Sequence, residues 1–336
     1  MKNEPPDVIR FRGREEKILD VFHVRGRRYF ALEKLSRRGA HRVFDPHAGP
    51  GGDYRVLYRF SYSRVTSQKI ETLRRLGGPT ANRNFPQIVE FTRQGGDLFV
   101  VMTWVWGTNL RELLRAVRGG KLPRPSVPEV VRLARGLAHG LSHYHRCANV
   151  VHGDVSPANL ILTSGTKNLV LVDFGSAWPV EQSATREIGD GITLPYAAPE
   201  RIARHASEDF RADVFSLSVV AYELLTLEIP FDGAGGQAGV PAFVANFAPS
   251  FVAPSTLISP QAARLPARAM ELLDEHFRIG LALHPDGRFA TRREWLAAWD
   301  RLHLELQKGE RLSNFEKRVL ACLEFIARPF LGRHKA

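Results

Sequence analysis

Asp154 and Asn159 stand five residues apart in the run V-V-H-G-D-V-S-P-A-N-L-I-L, and Asp173 follows 14 residues later in V-D-F-G. A carboxylate and an amide at that spacing can occupy opposite ends of one tight loop. One then faces a nucleophile and the other a metal ion. Asp173, just ahead of Phe174 and Gly175, adds a second hard oxygen of the kind Mg²⁺ prefers. A base and two oxygen ligands suit phosphoryl transfer, where positioning and charge neutralisation carry most of the catalysis. Each short motif alone is weak. Their order, their separation and the strand-like residues around both make the combination specific.

Elements able to position these loops are legible on both sides. Val21–Val24, Tyr29–Leu35, Arg42–Asp45 and Tyr54–Phe60 have strand composition and are separated by Gly-containing turns. Val65–Leu76 changes to helical period, with Ile70, Leu73 and Leu76 on one face, and residues 77–84 form a loop. Ile88–Phe91 and Leu98–Val105 return to strand. Helices are expected over Leu110–Val117, Glu129–Arg146, Asp213–Thr226, Glu271–Leu283 and Arg292–Leu306. Residues 1–20 read as a flexible lead-in, and Gly233–Pro266, rich in Gly, Ala and Pro, as an irregular insertion. A small β-rich part thus precedes a larger helical part, with a cleft between them as the natural ligand site.

Composition narrows the setting. Hydrophobic content of 44% and charged content of 24% fit a folded globular chain. The two cysteines, Cys147 and Cys322, exclude a disulfide framework and suit a reducing compartment. Met1–Arg10 lacks the apolar core of a secretory leader, and the apolar run Leu98–Trp106 is too short to span a bilayer. A cytoplasmic location is expected. The net charge of +12 is spread along the whole chain rather than gathered in a basic–aromatic patch, so no nucleic-acid partner is expected.

Together the motifs resemble the eukaryotic-type Ser/Thr protein kinases over about residues 29–306. Leu98–Gly107 is similar to the last N-lobe strand and hinge. Thr193–Glu200 (T-L-P-Y-A-A-P-E) resembles the end of the activation segment. Asp213–Leu217 is similar to the helix whose Asp braces the catalytic loop, and His284–Arg288 to the segment whose Arg pairs with Glu200. The resemblance implies a bilobal α+β kinase fold. It divides the chain into an extension (1–28), an N-lobe with hinge (29–105), a C-lobe (106–306) and a basic amphipathic tail (307–336). It also implies ATP and Mg²⁺ as cofactors and a protein hydroxyl as acceptor. Asp154 would be the base, and Asn159 and Asp173 the metal ligands. Val43, Leu57, Arg59, Lys69, Met102 (the gatekeeper), Val105 and Ile161 would line the nucleotide site. Leu73, Phe91, His152 and Phe174 fall at the stacked regulatory positions.

The nucleotide half departs from the family pattern. Ser36, Arg38 and His41 fall at the three glycine positions of the phosphate loop, and only Gly39 remains. Aligning V-L-Y-R with V-A-I-K puts Leu57 at the small adenine-contacting position and Arg59 at the lysine, a swap that changes shape while keeping charge. Lys69 stands at the partner glutamate, and Glu71 lies about 200° round the helix. Arg59 would then face Lys69, with a polyphosphate between them. Ser156 replaces the catalytic-loop lysine. Gly153 replaces the arginine that clamps a phosphorylated loop, so Ser183 and Thr185 are not expected to form the usual phospho-switch.

These departures leave an atypical kinase and a pseudokinase scaffold both open. A small-molecule kinase, suggested by H-G-D, fits Thr193–Glu200 and Arg288 less well. In the tail, Phe315, Val319, Cys322, Leu323, Ile326 and Phe330 follow helical spacing with Lys317, Arg318 and Arg328 beside them. That pattern suits packing on the C-lobe or a weak membrane contact.

Overall fold

A computed structural model of the chain describes residues 7–36, 39–76, 82–181, 192–203, 208–245, 248–258 and 265–308. Arg38, Ser183, Thr185 and the amphipathic tail lie outside the described residues.

The chain opens on a hairpin, β1 (Val8–Phe11) and β2 (Arg14–Lys17), followed by β3 (Asp20–Val24). Residues 1–20 were expected to be a lead-in without structure, yet this hairpin is ordered. Arg12 and Gly13 both take positive φ (49° and 75°), the pair of angles a tight two-residue hairpin turn needs. Its apolar residues Ile9 and Phe11 pack on Phe30, Leu32, Phe44 and Tyr54. The charged residues at the other positions hid this alternation in the sequence.

Strands β4 (Arg27–Lys34), β5 (Ala40–Asp45), β6 (Asp53–Ser61), β7 (Ile88–Gln94) and β8 (Asp97–Thr103) join β3 in one antiparallel sheet, ordered β3-β4-β5-β6-β8-β7. Helix α1 (Ser67–Leu76) buries Thr72, Leu73 and Leu76 against the rest of the core.

The second lobe starts at β9 (Gly107–Asn109), with α2 (Leu110–Arg118) and α3 (Val127–Ala148). Short strands β10 (Val150–Val151), β11 (Leu160–Thr163), β12 (Leu169–Leu171) and β13 (Trp178–Pro179) carry the polar loops. Then come α4 (Pro199–Ala203) and α5 (Phe210–Thr226). Every residue of α5 from Ala212 to Thr226 is buried, as an all-round apolar helix must be. Ala267–Gly280 and residues 292–308 form the last described helices.

The expected insertion is more regular than its composition suggests. It contains a helical turn at Gly235–Gly239 and short helices at Pro241–Val244 and Pro254–Leu257. Its glycines serve close approach: a Cβ on Gly236 would lie 1.7 Å from the Ala197 carbonyl oxygen.

Candidate active site

Asp213, wholly buried in α5, organises the loop after β10. Its carboxylate accepts the backbone N–H of His152 and of Gly153 (2.8 Å each) and His145 Nε2 (2.7 Å). Burial alone would raise this carboxyl. The His145 bond and the other donors outweigh it and hold the group below the usual carboxylate range. The fixed backbone then presents Asp154. Its Oδ2 accepts Asn159 Nδ2 at 2.7 Å and its Oδ1 accepts the Thr193 N–H at 3.1 Å. The Asn159 amide also donates to the Asp154 carbonyl (3.0 Å), so the loop closes on itself.

Asp173 arrives from the neighbouring strand. Val172 N–H donates to the Asn159 carbonyl at 2.8 Å, joining the residue before Asp173 to Asn159. Asp173 has left-handed backbone (φ 64°), and its Oδ1 accepts the Gly175 N–H at 2.9 Å. Asn159 Oδ1 and Asp173 Oδ2 accept no hydrogen bond among the described residues. Two hard oxygens from one amide and one carboxylate fit Mg²⁺, which commonly takes few protein ligands and completes its shell with water and phosphate. No cluster of three or more His, Cys, Asp or Glu metal ligands occurs among the described residues.

Phe174 is buried behind this loop, its ring 5.5 Å from that of His152. Leu73 and Phe91 belong to the same core. Burial pulls the His152 imidazole below its ordinary value.

The roof of the cleft corrects the expected register. Val43 and Leu57 are fully buried on the outer face of the sheet, with Phe22, Val24, Tyr29, Ala31, Phe99 and Val101. Arg59 is on that outer side too. It is half-exposed, with Nε bonded to Asp97 Oδ2 at 2.7 Å. None of the three faces the cleft. Successive side chains of a strand alternate faces, so a register one residue off reverses every one of them. The cleft face carries Val56, Tyr58 and Phe60, packed on the main core with Met102, and Tyr58 therefore stands where the lysine was expected. Its ring stacks on Phe60 at 5.7 Å. Burial, with the Asp173 charge nearby, pushes its phenol well above the ordinary range. The sequence signal was the pair Arg59 and Ser61, two polar residues on the opposite face to Tyr58 and Phe60.

The expected anion sandwich between Arg59 and Lys69 is consequently not formed. Lys69 does point into the cleft, where its Nζ donates to the carbonyls of Phe174 (2.5 Å) and Gly175 (2.7 Å). Glu71, as the helical angle requires, is elsewhere and pairs with Arg75 at 3.0 Å.

Across the strands, Arg42 lies opposite Val56, and Val56 opposite Met102. Arg42, not Val43, is thus the roof residue at the base end. Below, Ile161 of β11 lies opposite Asn109, and Val105 sits half-buried in the hinge between Trp104 and Trp106.

The acceptor side is also braced. Glu200 and Arg288 form the expected buried bidentate pair (2.6 and 2.9 Å). Ser156 is buried and its hydroxyl meets that of Thr193 at 3.4 Å. Gly153 has φ 69°, and a Cβ there would lie 2.6 Å from the Arg201 guanidinium carbon. Arg201 is buried beside the loop and pairs with Glu208 at 2.8 Å, so an α4 side chain fills the space next to Gly153. Sequence reasoning missed Tyr58 and Arg201.

The protein kinase domain description matches residues 65–288. The chain belongs to the protein kinase family. The matched segment begins just before α1, so the strands β1–β6 precede it. Serine/threonine-protein kinase PknL of Mycobacterium bovis is 35% identical over 201 residues, covering 60% of this chain and 45% of that protein. Serine/threonine-protein kinase PknJ of Mycobacterium tuberculosis is 31% identical over 225 residues, 65% of this chain and 35% of that one. The chain therefore spans less than half the length of these relatives. Among solved structures, the PknI kinase domain of Mycobacterium tuberculosis superposes with TM-score 0.55 at 22% identity, covering 82% of this chain and 96% of that one. The kinase PK-1 of the Cydia pomonella granulovirus gives TM-score 0.60 at 21% identity, with 80% of this chain and 92% of that one covered. These likenesses show the bilobal kinase fold.

Proposed function

We propose that the chain is an atypical Ser/Thr protein kinase that transfers the γ-phosphoryl group of ATP to a hydroxyl of a protein substrate. The observation that carries this reading is the joined loop pair. Asp154 and Asn159 are bonded to each other, and Asn159 to the residue before Asp173. In the step itself the substrate hydroxyl oxygen bonds to the γ-phosphorus and the bond to the β–γ bridging oxygen breaks. The hydroxyl proton passes to Asp154. Asn159 and Asp173 would hold Mg²⁺, which would supply charge neutralisation at the phosphates. With Tyr58 in the lysine position, Lys69 is the side-chain cation we assign to the phosphates, reaching them by giving up one of its two carbonyl bonds. Thr193, bonded to Asp154, positions the acceptor side.

No described helix is long and apolar enough to cross a membrane. With the sparse cysteines, we favour a cytoplasmic setting for this part of the chain.

A second reading, a pseudokinase that binds partners without turnover, is favoured by Tyr58 at the lysine position and by Arg42 at the base end. Incubation with labelled ATP and Mg²⁺ or Mn²⁺, beside an Asp154→Asn variant, separates the two. Transfer that disappears in the variant supports the kinase. A nucleotide-induced rise in melting temperature without transfer supports the pseudokinase, and the absence of both signals refutes an ATP-dependent role.

A further inference from the structure

The roof at the hinge end of the cleft is tied to the N-terminal hairpin. Arg42, the roof residue in line with Val56 and Met102, is held by Glu16 of the N-terminal hairpin, with Nη1 and Nη2 at 3.0 and 2.5 Å from its two carboxylate oxygens. The same carboxylate accepts the Tyr54 hydroxyl. The Arg42 guanidinium lies over the Tyr54 ring at 4.9 Å and beside the hinge residue Trp104 at 6.0 Å. Next to it in the hairpin, Phe11 meets Phe44 at 5.2 Å and Tyr54 at 5.0 Å. At the turn, Arg12 stacks on Trp106 at 4.2 Å, and Trp106 in turn stacks on Tyr54 at 5.3 Å. The hairpin thus bridges the roof strands β5 and β6 to the hinge at Trp106, with Trp104 packed against the same cluster.

We infer that the β1–β2 hairpin is an intramolecular occupant of this hinge-side surface, and that its docking competes with entry of the nucleotide base. The inference rests on the reading that the cleft takes ATP. A purine needs a flat, largely apolar slot between roof and hinge. Here the roof position carries a guanidinium whose charge is answered by Glu16 from the hairpin and by Glu33 from the sheet at 3.0 Å. When the hairpin leaves, Arg42 keeps Glu33 and can swing along β4, which opens the slot without stranding a charge. The covering element is two strands of four residues each, joined to the sheet through residues 18–19, so it can lift as a unit.

The test uses the full chain and the fluorescent analogue N-methylanthraniloyl-ATP with Mg²⁺. Glu16→Lys and, independently, Phe11→Ser undock the hairpin, and Glu33→Gln is the control that leaves it in place. If the docked form holds about four-fifths of the population, both undocking variants bind the analogue about fivefold more tightly. Hydrogen exchange at residues 8–17 of the parent chain should then accelerate on nucleotide addition. Unchanged or weaker binding in both variants overturns the inference while leaving ATP binding intact. Binding by neither the parent nor the variants refutes both the inference and the ATP reading. Circular dichroism melts identify any variant that has lost the fold, and the exchange readout on the parent chain decides the matter in that event.

Discussion

His276 makes the fold acid-sensitive by an amount the structure sets. Its imidazole is fully buried among Phe277, Phe289 and Trp299, with the Trp299 ring 3.9 Å away, and neither ring nitrogen has a hydrogen-bond partner among the described residues. Burial drives its pKa from 6.5 down to about 3. A histidine with a depressed folded pKa is neutral in the native state and charges more readily when unfolded. The stability it allows is therefore complete above pH 6.5 and lost as pH falls toward 3. At 1.36 kcal/mol per unit, the loss is about 2 kcal/mol by pH 5 and approaches about 4 kcal/mol near pH 3. Phenylalanine fits an aromatic surround and carries no titrating group, so His276→Phe should remove this component. Urea unfolding of both proteins at pH 7 and pH 5 is the assay. The parent should lose about 2 kcal/mol more than the variant over that interval. Equal losses, or an NMR titration placing the His276 ring near its ordinary value, would refute the argument.

The remaining predictions concern the site and its braces. Arg288→Ala should cost about 3–5 kcal/mol in a denaturant melt, because Glu200 is left buried and charged without its partner. Lys69→Met should lower phosphate transfer about 100-fold in a radiolabel assay, the scale of losing one donor to developing charge. Arg59→Ala should leave transfer unchanged and cost under about 1 kcal/mol, since its pair with Asp97 is on the half-exposed outer face. Reversal of that order would restore Arg59 to the site. Gly153→Arg, the residue the family pattern expects, should destabilise the fold by roughly 1–3 kcal/mol from its positive φ alone, with the Arg201 contact adding to it; an unchanged melting temperature would count against this.

The chemistry-bearing half of the site was legible because its residues are close in sequence. Asp154 and Asn159 share one loop whose shape depends on a few local bonds, and the glycine and proline turns around it are local signals as well. The long apolar helix α5 and the Glu200–Arg288 pair could also be anticipated, the first from its all-round apolar run and the second by resemblance. The roof was misread for the opposite reason. β6 is covered on both sides near its middle, so Val56, Leu57 and Tyr58 are all apolar or aromatic and do not alternate; only Arg59 and Ser61 at its end mark which face is which. The hairpin at residues 7–17 was missed because its strands are short and charged, and its few apolar residues acquire meaning only against Phe44, Tyr54 and Trp106.

Sequence by itself therefore determined the family and the two-lobed order of elements, which rest on motifs in order, and the closeness of Asp154 to Asn159, which rests on local spacing. Tertiary structure alone decided that Tyr58 and Lys69, not Arg59, face the cleft between the lobes, and that Glu16 reaches Arg42 at its hinge end. Which way a strand residue points and which distant carboxylate meets a guanidinium depend on pairing register and on packing between segments far apart in the chain. Neither is encoded in the spacing of neighbouring residues.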